Sequence, residues 1–199
     1  MIAALALFLA ADVPLEMRLD HDDPATEGFV RIRVGGWASS GFEFTAELPG
    51  SLEARSDGQG LFSGGVDAGI VLLDRYLLFA TVEHSQTDDV NADVAGVCFG
   101  YRERVRSGAP TGVPDEVAIY AGGIWGRFEI DASGFDDFDD GLGLRAGVAL
   151  TWRPAPGFAA SAIIEYRLIE FEYQGDVVAG DKRAGGSTIW AGLGIDFRW

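Results

Sequence analysis

The chain has 199 residues, 48% of them hydrophobic, and 31 acidic against 15 basic side chains give it a net charge of −16. That balance excludes a nucleic-acid binder, which needs clustered positive charge, and the single cysteine, Cys98, excludes an internal disulfide or a CxxC site. Lys182 is the only lysine, so arginine supplies the rest of the positive charge, a bias suited to cations that are buried and paired.

Residues 1–11 carry an apolar run, Ile2 to Ala11, that is shorter than the ~20 residues of a membrane helix and reads as the core of a secretory signal peptide. Residues 12–27, including "DHDDPATE", form a polar lead-in. From residue 28 the apolar residues alternate, and eight strands are predicted over 28–46, 60–73, 76–87, 91–104, 116–131, 140–153, 157–173 and 186–199. The prolines agree, since Pro14, Pro24, Pro49, Pro110, Pro114, Pro154 and Pro156 all fall outside these spans. Tight connections are expected at 73–75 and 153–157, with a longer one at 107–116. Longer, acidic loops follow the other strand ends at 47–59, "TDDVN", "DASGFDDFDD" and "GDVVAGDKRAG".

The two faces of these strands differ throughout. In the sixth, Leu142, Leu144, Ala146, Val148, Leu150 and Trp152 oppose Gly143, Arg145, Gly147, Ala149, Thr151 and Arg153. The seventh sets Ile164, Tyr166 and Leu168 against Ser161, Glu165 and Arg167, and the fourth sets Val97, Phe99 and Tyr101 against Gly96, Cys98, Gly100 and Arg102. A soluble calycin-like barrel binding a small ligand would turn the apolar face inward; a membrane barrel turns it outward. Three features favour the membrane barrel. Glycine crowds the charged face, as a narrow interior requires. The charges there have both signs: Arg31, Arg33, Asp67, Glu83 and Arg102 in the first four strands, then Arg127, Glu129, Arg145, Glu165, Arg167, Asp196 and Arg198. They can therefore neutralise one another.

The third feature is a girdle of outward aromatics at the short-turn end: Tyr76, Tyr101, Tyr120, Trp152, Phe158, Phe197 and Trp199. Phe42, Phe44, Phe62 and Phe128 are expected at the other end. Trp37, Trp125 and Trp190 are predicted to point inward, which argues against a wide pore, and Cys98 reads as a small lumen-facing residue. The fold class is thus all-β, an eight-stranded antiparallel up-and-down transmembrane barrel with short periplasmic turns and longer acidic external loops.

The last strand, "IWAGLGIDFRW", alternates to a terminal aromatic, and with the preceding strand pattern it makes residues 28–199 resemble the small outer-membrane β-barrels of the OmpA/OmpX type. The resemblance implies residence in the outer membrane of a Gram-negative-type bacterium, contact with its lipid and lipopolysaccharide, and no cofactor. It also implies that Leu193, Ile195, Phe197 and Trp199 are read by the barrel assembly machinery. A closed barrel would pair the last strand with the first near Val30 to Val34. The role implied is structural or surface-interacting, with a small gated channel as a variant.

The residues also offer two chemical alternatives. A lipid A acylhydrolase needs a His and a Ser within hydrogen-bond reach; His84 and Ser85 are the candidates, but adjacent residues of a regular strand face opposite ways. Asp131, Asp136, Asp137, Asp139 and Asp140, with Asp88, Asp89 and Asp93, offer oxygen ligands for a divalent cation without the spacing of an EF-hand loop. The expectation is a solvated acidic rim, with divalent cations bridging carboxylates to lipopolysaccharide phosphates.

Overall fold

A computed structural model describes residues 26–45, 61–86, 90–105, 112–130, 138–173 and 183–199, with side chains except at 38–45, 90, 128–130, 138–140, 171–173 and 183–185. Eight strands follow in order: β1 (Thr26–Thr45), β2 (Leu61–Leu72), β3 (Tyr76–Gln86), β4 (Val90–Arg104), β5 (Glu116–Ile130), β6 (Phe138–Ala155), β7 (Phe158–Tyr173) and β8 (Arg183–Arg198). Each pairs antiparallel with the next and β8 returns to β1, closing the barrel. The closing register sets Val30 opposite Phe197, Ile32 opposite Ile195 and Val34 opposite Leu193, as the alternation predicts. β1 starts at Thr26, so Thr26 and Glu27 belong to the strand and not to the polar lead-in.

The short connections are dictated locally. Leu73 and Asp74 both have positive φ, 51° and 59°, and the Arg75 N–H donates to the Leu72 carbonyl at 3.1 Å, the pattern of a type I′ turn. Between β6 and β7, Pro156 precedes Gly157 at φ 74°, the residue order of a type II turn. Both turns lie at the end where β1 begins and β8 finishes.

The outward face is apolar over its middle: Ile32, Val34, Val66, Leu78, Val82, Val97, Phe99, Leu142, Leu144, Ile164 and Leu193 are all exposed. On β3 this face runs from Tyr76 through Leu78, Ala80 and Val82 to His84. With 3.3 Å per residue and a tilt near 40°, that is roughly 20 Å along the barrel axis, close to the apolar band of a transmembrane barrel. The charged groups point the other way, into the lumen, where Arg33, Asp67, Glu83, Arg145, Glu165, Arg167 and Asp196 are buried. Surfaces sorted in this way belong to a barrel that crosses a membrane, and they exclude the soluble alternative, whose apolar face would be inside.

One strand departs from the expected frame. On β5 the even residues face inward: Tyr120 and Ile124 are buried, whereas Trp125 is 50% exposed and Arg127 lies on the outward face. Tyr120 is therefore a lumen residue and not part of the girdle, Trp125 is an outward residue, and Arg127 leaves the lumen network. The Glu129 side chain lies outside the described residues. A shift of one residue turns every side chain of a strand over, and here the inward partners of Glu116 and Tyr120 fix the frame.

Candidate functional site in the barrel lumen

Glycines make the room. A Cβ on Gly35 would lie 2.5 Å from Trp190 Cζ2, and one on Gly147 would lie 2.7 Å from Tyr120 Oη. Large side chains can cross an eight-stranded interior only over such bare backbone. Trp190 and Trp37 are both buried there, as predicted. The Trp37 indole N–H donates to Glu83 Oε1 at 2.9 Å, and that of Trp190 donates to Ser63 Oγ.

In this middle layer four guanidiniums meet four carboxylates. Arg31 grips Asp196 with two N–H groups at 2.6 and 2.9 Å. Arg33 reaches Asp67 at 3.2 Å, Glu83 at 2.7 Å and Glu165 at 3.2 Å. Arg167 donates to both oxygens of Glu83 at 2.7 and 2.8 Å and also to Glu165. Arg145 meets Glu165 at 2.8 Å and lies over the Phe79 and Tyr120 rings, 5.6 and 5.4 Å from their centroids. The Tyr120 hydroxyl completes the set around Glu165 at 2.6 Å. Charges of equal number and opposite sign, linked by bidentate hydrogen bonds and covered by aromatic faces, are the form in which a low-dielectric interior tolerates ions.

A second layer fills the mouth at the short-turn end, and sequence reasoning missed most of it. Glu27 accepts from Arg102, Arg153 and Arg198 at 3.1 to 3.3 Å, with Arg104 at 3.7 Å. Glu116 meets Arg198 at 2.7 Å, Arg102 at 3.4 Å and also Arg153. Asp74 pairs with Arg102 and Arg104. Arg198 also holds Asp196 at 3.0 Å, joining the two layers. In the sequence Glu27 falls in the polar lead-in, and the expected β5 frame turns Glu116 outward; Arg198 on the inward face is the signal that calls for a partner.

The other predicted residues fall as follows. Tyr76, Tyr101, Trp152, Phe158, Phe197 and Trp199 are all on the outward face at the turn end, with Tyr76 against Tyr101 at 6.0 Å and Phe158 against Phe197 at 6.1 Å. Phe62 is exposed at the far end, while the side chains of Phe42, Phe44 and Phe128 lie outside the described residues. Leu193, Ile195, Phe197 and Trp199 share the outward face of β8. Cys98 is buried in the lumen. Ser85 is buried and donates to Glu83 at 3.2 Å, whereas His84 is exposed and its Nδ1 lies 2.7 Å from Asp93 Oδ1. The two point to opposite faces of an unbroken strand. Residues 1–25, Asp88, Asp89, Asp131, Asp136 and Asp137, and the side chains of Asp139 and Asp140, lie outside the described residues. Among the described residues no group of three or more His, Cys, Asp or Glu is arranged to hold a metal ion.

A closed antiparallel barrel of eight strands, apolar outside and charged within, defines a transmembrane β-barrel of the small outer-membrane type. Solved structures agree on the fold. The N-terminal β-barrel domain of Pseudomonas aeruginosa OprF is similar with a TM-score of 0.53 at 16% identity, covering 86% of this chain and 99% of that one. The outer membrane protein OprG of the same organism has a TM-score of 0.53 at 10% identity, covering 88% and 96%. No protein-family model matches the sequence, and none of the curated proteins is similar to it in sequence.

Proposed function

We propose that the chain is a resident of the outer membrane that acts as a sealed, non-enzymatic barrel, with its short turns toward the periplasm and its work done by its outer surface and external loops. The observation that carries this reading is the middle layer of the lumen: four buried arginines and four buried carboxylates pair as ions and balance in charge, and two tryptophans are buried beside them. Its partners on this reading are outer-membrane lipid and lipopolysaccharide, with divalent cations linking loop carboxylates to lipid phosphates. The barrel assembly machinery would engage Leu193, Ile195, Phe197 and Trp199, which form one outward row on β8.

Conductance in planar bilayers tests the seal. The folded protein is expected to leave the bilayer current at baseline; reproducible openings that change in Glu165→Gln would replace this reading with a small gated channel. Lipid A incubated with the folded protein is expected to keep its acyl chains. Deacylation lost in Ser85→Ala would make it an enzyme.

A further inference from the structure

We propose that the mouth at the short-turn end is an oxyanion-binding site, for a phosphate or carboxylate group, in which Glu27 is the resident occupant. This goes beyond the sealed-barrel reading, since it concerns the mouth and not the middle layer.

The cage and its occupant come from different strands. Arg102 and Arg104 stand at the end of β4, paired with Ala118 and Glu116 of β5, Arg153 in the register irregularity near the end of β6, and Arg198 at the end of β8 opposite Phe29. Glu27 stands at the start of β1, paired with Val71 of β2 and followed by Gly28, whose backbone bonds to Trp199. One carboxylate at a strand end thus fills a socket that three other strands create.

The socket also offers more donors than the resident carboxylates use. The Nε–H groups of Arg153 and Arg198 are buried without an acceptor, two donors against the socket's one buried acceptor, Glu116 Oε1, that has no hydrogen-bond donor, and the Arg198 side chain is only 10% exposed. A buried donor left unpaired is costly, and native structures normally satisfy it. Arg104 and Arg153, at 39% and 31% exposure, leave the socket open to water. Guanidinium forks match planar carboxylates and tetrahedral phosphates alike. A phosphate would present more oxygens than the two that Glu27 brings.

The test uses the full chain folded in detergent and labelled with ¹⁵N-arginine, with the Nε–Hε resonances followed at low salt during titration with inorganic phosphate and, separately, succinate. Glu27→Gln removes the resident negative charge from the socket and is expected to bind the preferred anion about tenfold more tightly than the parent chain. Glu27→Gln with Arg198→Gln is expected to lose that gain. If Glu27→Gln does not fold, Glu27→Asp draws the carboxylate back by one methylene and is expected to show a smaller gain in the same direction. The stronger of the two anions identifies the ligand chemistry. Equal affinity in parent and Glu27 variant, a gain that survives Arg198→Gln, or no response to either anion overturns the proposal.

Discussion

Gly28 and Trp199 exchange two backbone hydrogen bonds across the barrel closure, Gly28 N–H to the Trp199 carbonyl at 2.9 Å and Trp199 N–H to the Gly28 carbonyl at 3.1 Å. The indole lies across the glycine, so that a Cβ there would fall 2.7 Å from its Cε2 and Nε1. On the other edge of β8 the Arg198 N–H donates to the Gly157 carbonyl at 3.0 Å. Trp199, 73% exposed, is held by its own backbone to Gly28 and through Arg198 to Gly157, and its ring lies on the outward face where a membrane interface would meet it.

Gly28→Val should displace that ring. Overpacking of this kind costs about 1–3 kcal/mol, and the urea midpoint of the detergent-folded barrel should fall with a shift in tryptophan emission. Gly123 also faces outward but has nothing within 4 Å of the Cβ position. Gly123→Val should therefore leave the midpoint near that of the parent, and an equal loss in both variants would mean that general strand effects, not the indole, set the cost.

Glu165 is the hub of the middle layer, with Arg33, Arg145, Arg167 and Tyr120 on its two oxygens. Glu165→Gln leaves those guanidiniums short of one charge, and breaking a buried pair from one side costs about 3–5 kcal/mol. Arg145→Met restores the balance, because Glu165 is the only carboxylate within ion-pair distance of Arg145 among the described residues. The double variant should be more stable than Glu165→Gln alone, measured by the urea dependence of the heat-shifted gel band. Additive losses would show that packing, not charge balance, governs the site.

The contrast between β5 and its neighbours shows what a sequence can and cannot reveal here. On β4 over 95–102 and on β6 over 142–153 apolar residues alternate with glycine, small or polar ones, and the expected faces are the observed ones. β5 reads "IYAGGIW" over 119–125, with Ile119 beside Tyr120, Gly122 beside Gly123 and Ile124 beside Trp125. No period of two can be counted from such pairs. The frame is set across the barrel, by Glu116 meeting Arg198 of β8 and Tyr120 meeting Glu165 of β7. Local patterning carries no trace of those contacts, and the same blindness hid Glu27, Glu116 and Asp74 from the candidate network.

The β2–β3 turn holds Leu73 at φ 51°, a left-handed conformation that a bulky apolar residue adopts at a cost of order 1 kcal/mol. The side chain is more than half exposed and makes no compensating core contact. Leu73→Asn places a residue that tolerates this region where a type I′ turn favours it. It should raise the urea midpoint by the equivalent of about 1 kcal/mol, without disturbing Asp74, whose carboxylate is needed by Arg102 and Arg104. An unchanged midpoint would mean that the turn is not strained in the folded protein.

Cys98 reports on whether the lumen admits small polar molecules. It is 1% exposed, and a Cβ built on Gly122 would come within 2.7 Å of its Sγ, so the thiol is packed against bare backbone on β5. Around it the middle layer packs buried, ion-paired charged groups, and reaction with a charged methanethiosulfonate requires the thiolate and the reagent to meet in that space. Labelling of the folded barrel should be slower than that of the urea-unfolded chain by at least about 100-fold, the ratio for opening that costs about 2.7 kcal/mol or more. Glu165→Gln, by loosening the ring of arginines, should narrow that ratio. Fast labelling of the folded parent chain would mean that solutes already pass the charged layer, and the sealed-barrel reading would give way to a permeable one.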